Sequence, residues 1–220
     1  MGTDNPLAVM QDLAVATADD VFDAVASSNA YLPRLQLMTA NSEKCKDGSF
    51  PTNHYARVND SDQKDMGTDV DVLVCAFRAL AIETTDEGSV ITSYDVKSET
   101  FQRIQAKADQ KGMNGAMYGP QFLVWVASEQ EFMTFFMASI TARKASPSVK
   151  ALMLSAGTLG SKKIESKDYT WFGPTCIECT TPFEMPTEDD ARKVITEFVN
   201  PPEPTVEVVS DDAAGDDARE

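Results

Sequence analysis

Phe122-Leu-Val-Trp-Val-Ala127, Ser128-Glu-Gln-Glu131 and Phe132-Met-Thr-Phe-Phe-Met137 follow one another without a break. Two apolar runs rich in aromatic and β-branched residues, parted by four polar positions, predict a β-hairpin with a four-residue loop. Such a pair builds the core of a sheet, so the remaining elements are expected to assemble around it.

Beyond the hairpin the charge changes sign. Arg143, Lys144, Lys150, Lys162, Lys163 and Lys167 precede Tyr169-Thr-Trp-Phe172, and only Glu165 and Asp168 oppose them between residues 141 and 170. Elsewhere the chain of 220 residues is acidic, with 19 Lys and Arg against 35 Asp and Glu, a net charge of −16. A surface of that sign repels nucleic acid and anionic membrane at long range, so any polyanion contact must come from a local patch.

Upstream, Leu7, Met10 and Leu13 recur at helical spacing, and Thr17-Ala-Asp-Asp20 resembles a capping box leading to Val21, Phe22 and Val25. Residues 5–28 are therefore expected to be helical. Tyr31 to Met38 is expected to be extended, and His54–Val58 a short strand after a loop over 41–52. Val70 to Ile82 is the clearest strand outside the hairpin: Val70, Val72, Val74 and Ala76 share one face, and Leu73, Cys75 and Phe77 the other. Both faces are apolar, which predicts a central strand. Val90–Tyr94 reads as a weaker strand, and Ser98 as the N-cap of a helix to Gln110 that Gly112 ends. Residues 112–120, with three glycines, read as irregular backbone.

Downstream, Ser146-Pro147 looks like an N-cap and first helical residue, heading a helix to about Ala156. Lys162–Phe172 and Thr175–Phe183 are expected to be strands divided at Gly173-Pro174. Thr187-Glu-Asp-Asp190 heads a final helix to about Val199, with Val194, Ile195 and Phe198 inward. Pro201-Pro-Glu-Pro204 stops it, and an acidic stretch poor in core residues follows. The inventory lacks regular strand–helix alternation. It predicts an α+β protein, mainly antiparallel β, built as an OB-like barrel with several peripheral helices. One globular domain over 1–200 and a disordered acidic tail over 201–220 are expected.

For function, a basic groove tracks a phosphate backbone while aromatic faces stack on bases. Arg143, Lys144, Lys150, Lys162, Lys163 and Lys167 supply the charge in this reading. Tyr169 and Trp171 alternate on an expected strand and would share a face. The plainer alternative is a solvated basic face with both rings packed in the core. An acidic tail on such a domain would occupy the cationic face intramolecularly until a longer polyanion displaces it.

Cationic aromatic segment, proline-marked linker and acidic C-terminus together resemble the single-stranded-DNA-binding proteins of phage replication systems. The resemblance lies in overall organisation and in residues 201–220. It implies binding and protection of single-stranded DNA in replication or recombination, with the tail recruiting replication or recombination proteins. Such tails often end in an aromatic or apolar residue, whereas this chain ends Ala218-Arg-Glu220.

Other chemistries have less in their favour. Cys176-Ile-Glu-Cys179 is a lone CxxC that would need Cys45 and the sole histidine, His54, to make a four-ligand zinc site. No nucleophile elbow, P-loop or HExxH is present, and nothing selects Asp69, Asp71 and Asp95 as a metal-binding set. No enzymatic activity, cofactor or metal is expected. The four cysteines form no disulfide framework, Met1-Gly-Thr-Asp-Asn-Pro6 is not a secretory leader, and no apolar run is long enough to span a membrane. The expected location is cytoplasmic, that of the host if the protein is viral, and self-association is left open. The rival reading is a structural or interaction protein of a virus, such as a virion component or a DNA-mimicking inhibitor of a host enzyme.

Overall fold

The hairpin forms, and it is longer than its apolar kernel. In a computed structural model, which describes residues 32–40, 42–59, 62–86, 89–110, 115–138, 140–165, 170–200 and 206–207, Gln121 to Val126 pair with Phe136 to Glu131. The elements in order are β1 (Arg34–Leu37), the single turn α1 (Glu43–Lys46), β2 (Tyr55–Val58), β3 (Gln63–Gly67), β4 (Val70–Thr84) and β5 (Val90–Ser93). Then come α2 (Glu99–Ala108), β6 (Ala116–Val126), β7 (Glu131–Phe136), α3 (Ile140–Ala151), β8 (Ala156–Glu165), β9 (Thr170–Glu178), α4 (Glu188–Val199) and β10 (Val206–Glu207). The described residues are mostly β, with four helices. The helix expected over 5–28 lies outside them.

Two compact units divide the chain, residues 1–78 with 119–201 and residues 79–118 with 202–220. Across the first, the strands follow the order β9-β8-β4-β6-β7-β1-β2-β3. Its sheet is mixed, because β1 runs parallel to β7 while β1–β2, β2–β3, β4–β8, β6–β7 and β8–β9 are antiparallel. Among the described strands β3 and β9 each have a single neighbour, so the backbone ladder does not close into the expected barrel. The sheet curls instead. The Tyr55 hydroxyl on β2 donates to the Gly160 carbonyl on β8 at 2.8 Å, and Ser161 bonds Asn53 beside it. Burial, with Cys176 and Asp69 nearby, drives the Tyr55 phenol far above its ordinary pKa, so it remains a donor.

Inside the curl, Val70, Val72 and Val74 of β4 meet Phe122, Val124, Met133, Phe135, Tyr55 and Leu159. On the opposite face Leu73, Cys75, Leu123 and Phe132 receive Ala191, Ile195 and Phe198 of α4. Double-sided burial of β4 is what its two apolar faces demand. The alternation then slips. Ala76 joins Cys75 in the cluster under α4, while Phe77 turns to within 6.0 Å of the Phe122 ring on the other side, as an extra residue in a strand would produce. Ala76 and Phe77 therefore exchange the faces that strict alternation predicts.

Helix α4 starts where the capping box predicts. The Thr187 hydroxyl accepts the Asp190 N–H at 3.2 Å, and three acidic residues occupy the first turn. Its last turn carries no cation of its own. Arg78 of β4 provides one, donating to the Phe198 carbonyl at 2.7 Å with its guanidinium 4.2 Å from the Phe198 ring centroid.

Three expectations need correction. Residues 116–120 are strand, not irregular backbone; a Cβ on Gly119 would fall on the Met137 carbonyl, so the two chains pass too closely for any other residue. Gly173-Pro174 lies within β9, because β8 turns back between Glu165 and Thr170 instead. Pro174 is tolerated there since β9 has β8 as its single neighbour among the described strands, leaving one side without ladder bonds to them. Finally, α3 begins at Ile140 and ends at Ala151, placing Pro147 inside it. Proline leaves the Arg143 carbonyl without its helical N–H, and the Ser146 hydroxyl takes that place at 2.8 Å. Ser146 is 8% exposed. Ser146→Ala should therefore lower stability by about 1 kcal/mol, the typical net worth of one hydrogen bond, as a shift in urea midpoint. Ser146→Thr should recover most of it.

In the second unit, Ala81–Thr84 of β4 pair with β5, and β10 adds to β5 through Val206–Ile91 and Glu207–Val90. Those two residues belong to the stretch expected as a tail; its other residues lie outside the described set. Ser98 caps α2 by accepting the Phe101 N–H at 3.1 Å, and Phe101 and Ile104 pack against Ala81, Ile91 and Tyr118.

Candidate nucleic-acid interface

Helix α3 separates its residues cleanly. Ala142, Ala145 and Val149, with Leu152 just past its end, turn toward the core inside the curl. Lys144, Pro147, Ser148 and Lys150 are exposed, and Arg143 is half-buried with its guanidinium donating to the Ala138 carbonyl at 3.3 Å. Arg143 and Lys150 are seven residues apart and so share a stripe, with Lys144 flanking it. Three of the expected basic residues thus lie on one outward arc.

Beside that arc is a ring that the sequence reading assigned to the apolar face of β4. Phe77 is 42% exposed, and the Lys150 ammonium stands 4.3 Å from its ring centroid. That is within range of an attractive cation–π contact. Phe122 backs the ring at a tilt of 41°.

On β8, Lys162 and Lys163 are both exposed but occupy successive positions of a strand, so they face opposite ways. They lie past the start of β4, where β8 and β9 continue as a two-stranded ribbon. Lys163 is engaged by Glu165 at 2.6 Å on the same face. Lys144, Lys150 and Lys162 have no carboxylate partner among the described residues. Lys167 and Tyr169 lie outside the described residues, and Trp171 takes its place in β9 opposite Ile164.

The other sequence candidates are dispersed. Cys176 points into the core and Cys179 follows the end of β9, while Cys45 packs near Phe50 and His54 pairs with Asp65 at 2.9 Å. Burial pushes the Cys176 thiol up to about 11 and the Cys75 thiol up to about 12, so neither is a ready thiolate at neutral pH. Asp71 accepts from Thr158 at 2.6 Å, and Asp95 accepts the Lys97 N–H at 2.8 Å. Among the described residues no three His, Cys, Asp or Glu side chains are grouped to hold a metal ion, and no helix is long and apolar enough to cross a membrane.

Set beside known proteins, the chain matches no protein-family model, no curated protein and no solved structure.

What the arc can do follows from its chemistry. An ammonium without a carboxylate partner is free to meet a phosphate, and an exposed ring offers a flat apolar face. Phe77 escaped the sequence reading because the slip at Cys75–Ala76, which brings it beside Lys150, leaves no mark on the apolar pattern.

Proposed function

We propose that this protein binds single-stranded DNA without sequence preference and without catalysis, protecting it during replication or recombination of viral type. One observation carries the reading: on the outward arc of α3, Lys144 and Lys150 have no carboxylate partner among the described residues, in a chain whose carboxylates outnumber its cations 35 to 19. Cations in so acidic a chain, yet paired with none of the described carboxylates, favour an external polyanion. Lys162 on the β8–β9 ribbon extends the same chemistry, and the finer fold reading is an OB-like barrel whose seam passes through side chains. The acidic C-terminal segment competes for the arc and recruits replication or recombination proteins, in the cytoplasm of the host.

Fluorescence anisotropy with a labelled oligo-dT strand tests this. Binding should appear at low salt and weaken with a logarithmic slope of about −2, three phosphate contacts at about 0.7 each. Replacing Asp211, Asp212, Asp216 and Asp217 by Asn should tighten it, and K144A/K150A/K162A should weaken it and flatten the slope. Absence of binding by the Asn variant at low salt would end the proposal. Capture of a DNA-processing enzyme by a protein that ignores DNA would favour the inhibitor reading instead.

A further inference from the structure

We infer that Phe77 is a stacking platform for one base of the bound strand, and that Lys150 guards it by exchanging the ring for a phosphate. This rests on the single-strand-binding reading and adds a residue and a motion to it. The ring is more exposed than a core phenylalanine, and Phe122 holds it from behind at 6.0 Å. The Lys150 ammonium stands over its face, 4.3 Å from the centroid. Lysine reaches that position on a flexible four-carbon stem, so the contact can be undone without moving α3. A solvent-facing lysine–phenylalanine contact is weak, whereas a base laid on an aromatic face gains more, and the released ammonium finds a stronger electrostatic partner in the phosphate next to that base. Ring and cation are thus satisfied by each other without DNA, and each by a different part of one nucleotide with it.

The exchange predicts a requirement for bases that charge alone does not. Oligo-dT and an abasic strand of the same length are titrated against full-length wild type, F77A, F77W and K150Q at low salt. F77A should lose about 5- to 150-fold in affinity for oligo-dT, the range of about 1–3 kcal/mol for one stacked base, and keep its affinity for the abasic strand. K150Q should weaken both strands and lower the salt slope by about 0.7. F77W, which keeps a platform if alanine disturbs the fold, should retain oligo-dT affinity and show emission quenched by oligo-dT but not by the abasic strand. If wild type binds both strands and F77A changes both equally or neither, the stacking inference is overturned while the binding reading stands. If wild type binds neither, both fall.

Discussion

Phe122→Ala should lower the stability of the folded protein by about 3–5 kcal/mol, the usual cost of emptying a phenylalanine site in a packed core. The side chain is fully buried on β6, opposite Phe135 of β7, and the inside of the curl closes around it with Val72, Val124 and Met133. Neighbouring strands are held by their ladders on both sides, so the void has little room to collapse. Urea denaturation should show a lower midpoint with an unchanged slope. Phe77→Ala, removing a ring 42% exposed, should cost well under half as much. Equal losses for the two would contradict the placement of Phe122 as core and Phe77 as surface.

Glu83 supplies the second large effect. It is 4% exposed on β4, and it is held by Lys107 at 2.7 Å and by Arg103, both from α2. Glu83→Gln keeps the shape but removes the charge facing two cations, at an expected cost of about 2–3 kcal/mol at pH 7. That figure is set below the value for fully buried pairs because Arg103 is half exposed. The Lys107 hydrogen bond, opposed by burial and supported by Arg103, holds the carboxyl below its ordinary 4.5. A depressed folded value means the stabilisation is full above about pH 4.5 and drains away as pH falls from there through the folded value. The gap between wild type and E83Q should therefore be wide at pH 7 and shrink in acid. A gap that stays constant down to pH 3 would show that the carboxylate is not what holds α2.

Legibility in the sequence followed local chemistry. Ser98 and Thr187 announce their helices because one side-chain oxygen facing one N–H is a local device, and both caps form. The apolar runs at 122–127 and 132–137 announce a hairpin, and the two faces of β4 announce a buried strand, for the same reason of short-range periodicity. Signals were misplaced where tertiary contacts rescue a local breaker. Pro147 survives inside α3 because the Ser146 hydroxyl serves the Arg143 carbonyl, and Pro174 survives inside β9 because that strand has a single neighbour among the described strands. β3, Gln63-Lys-Asp-Met-Gly67, has almost no apolar pattern, so no periodicity announces it; it pairs with β2 at the rim of the sheet. Of the candidate site, the clustering of basic residues along the chain was visible. How they divide in space was not: α3 gathers Arg143, Lys144 and Lys150, whereas strand geometry sends Lys162 and Lys163 to opposite sides.

The junction of β2 with β8 has a mechanical meaning. Along β6–β7 and β8–β9, neighbouring strands of the larger unit are stitched by rows of amide bonds, so parting them means breaking several links at once. Between β2 and β8 the fastening seen among the described residues is the Tyr55 phenol on the Gly160 carbonyl, helped by the Ser161–Asn53 contact. A curled sheet held by such a clasp yields there first, and it can spread along that line without unravelling any strand.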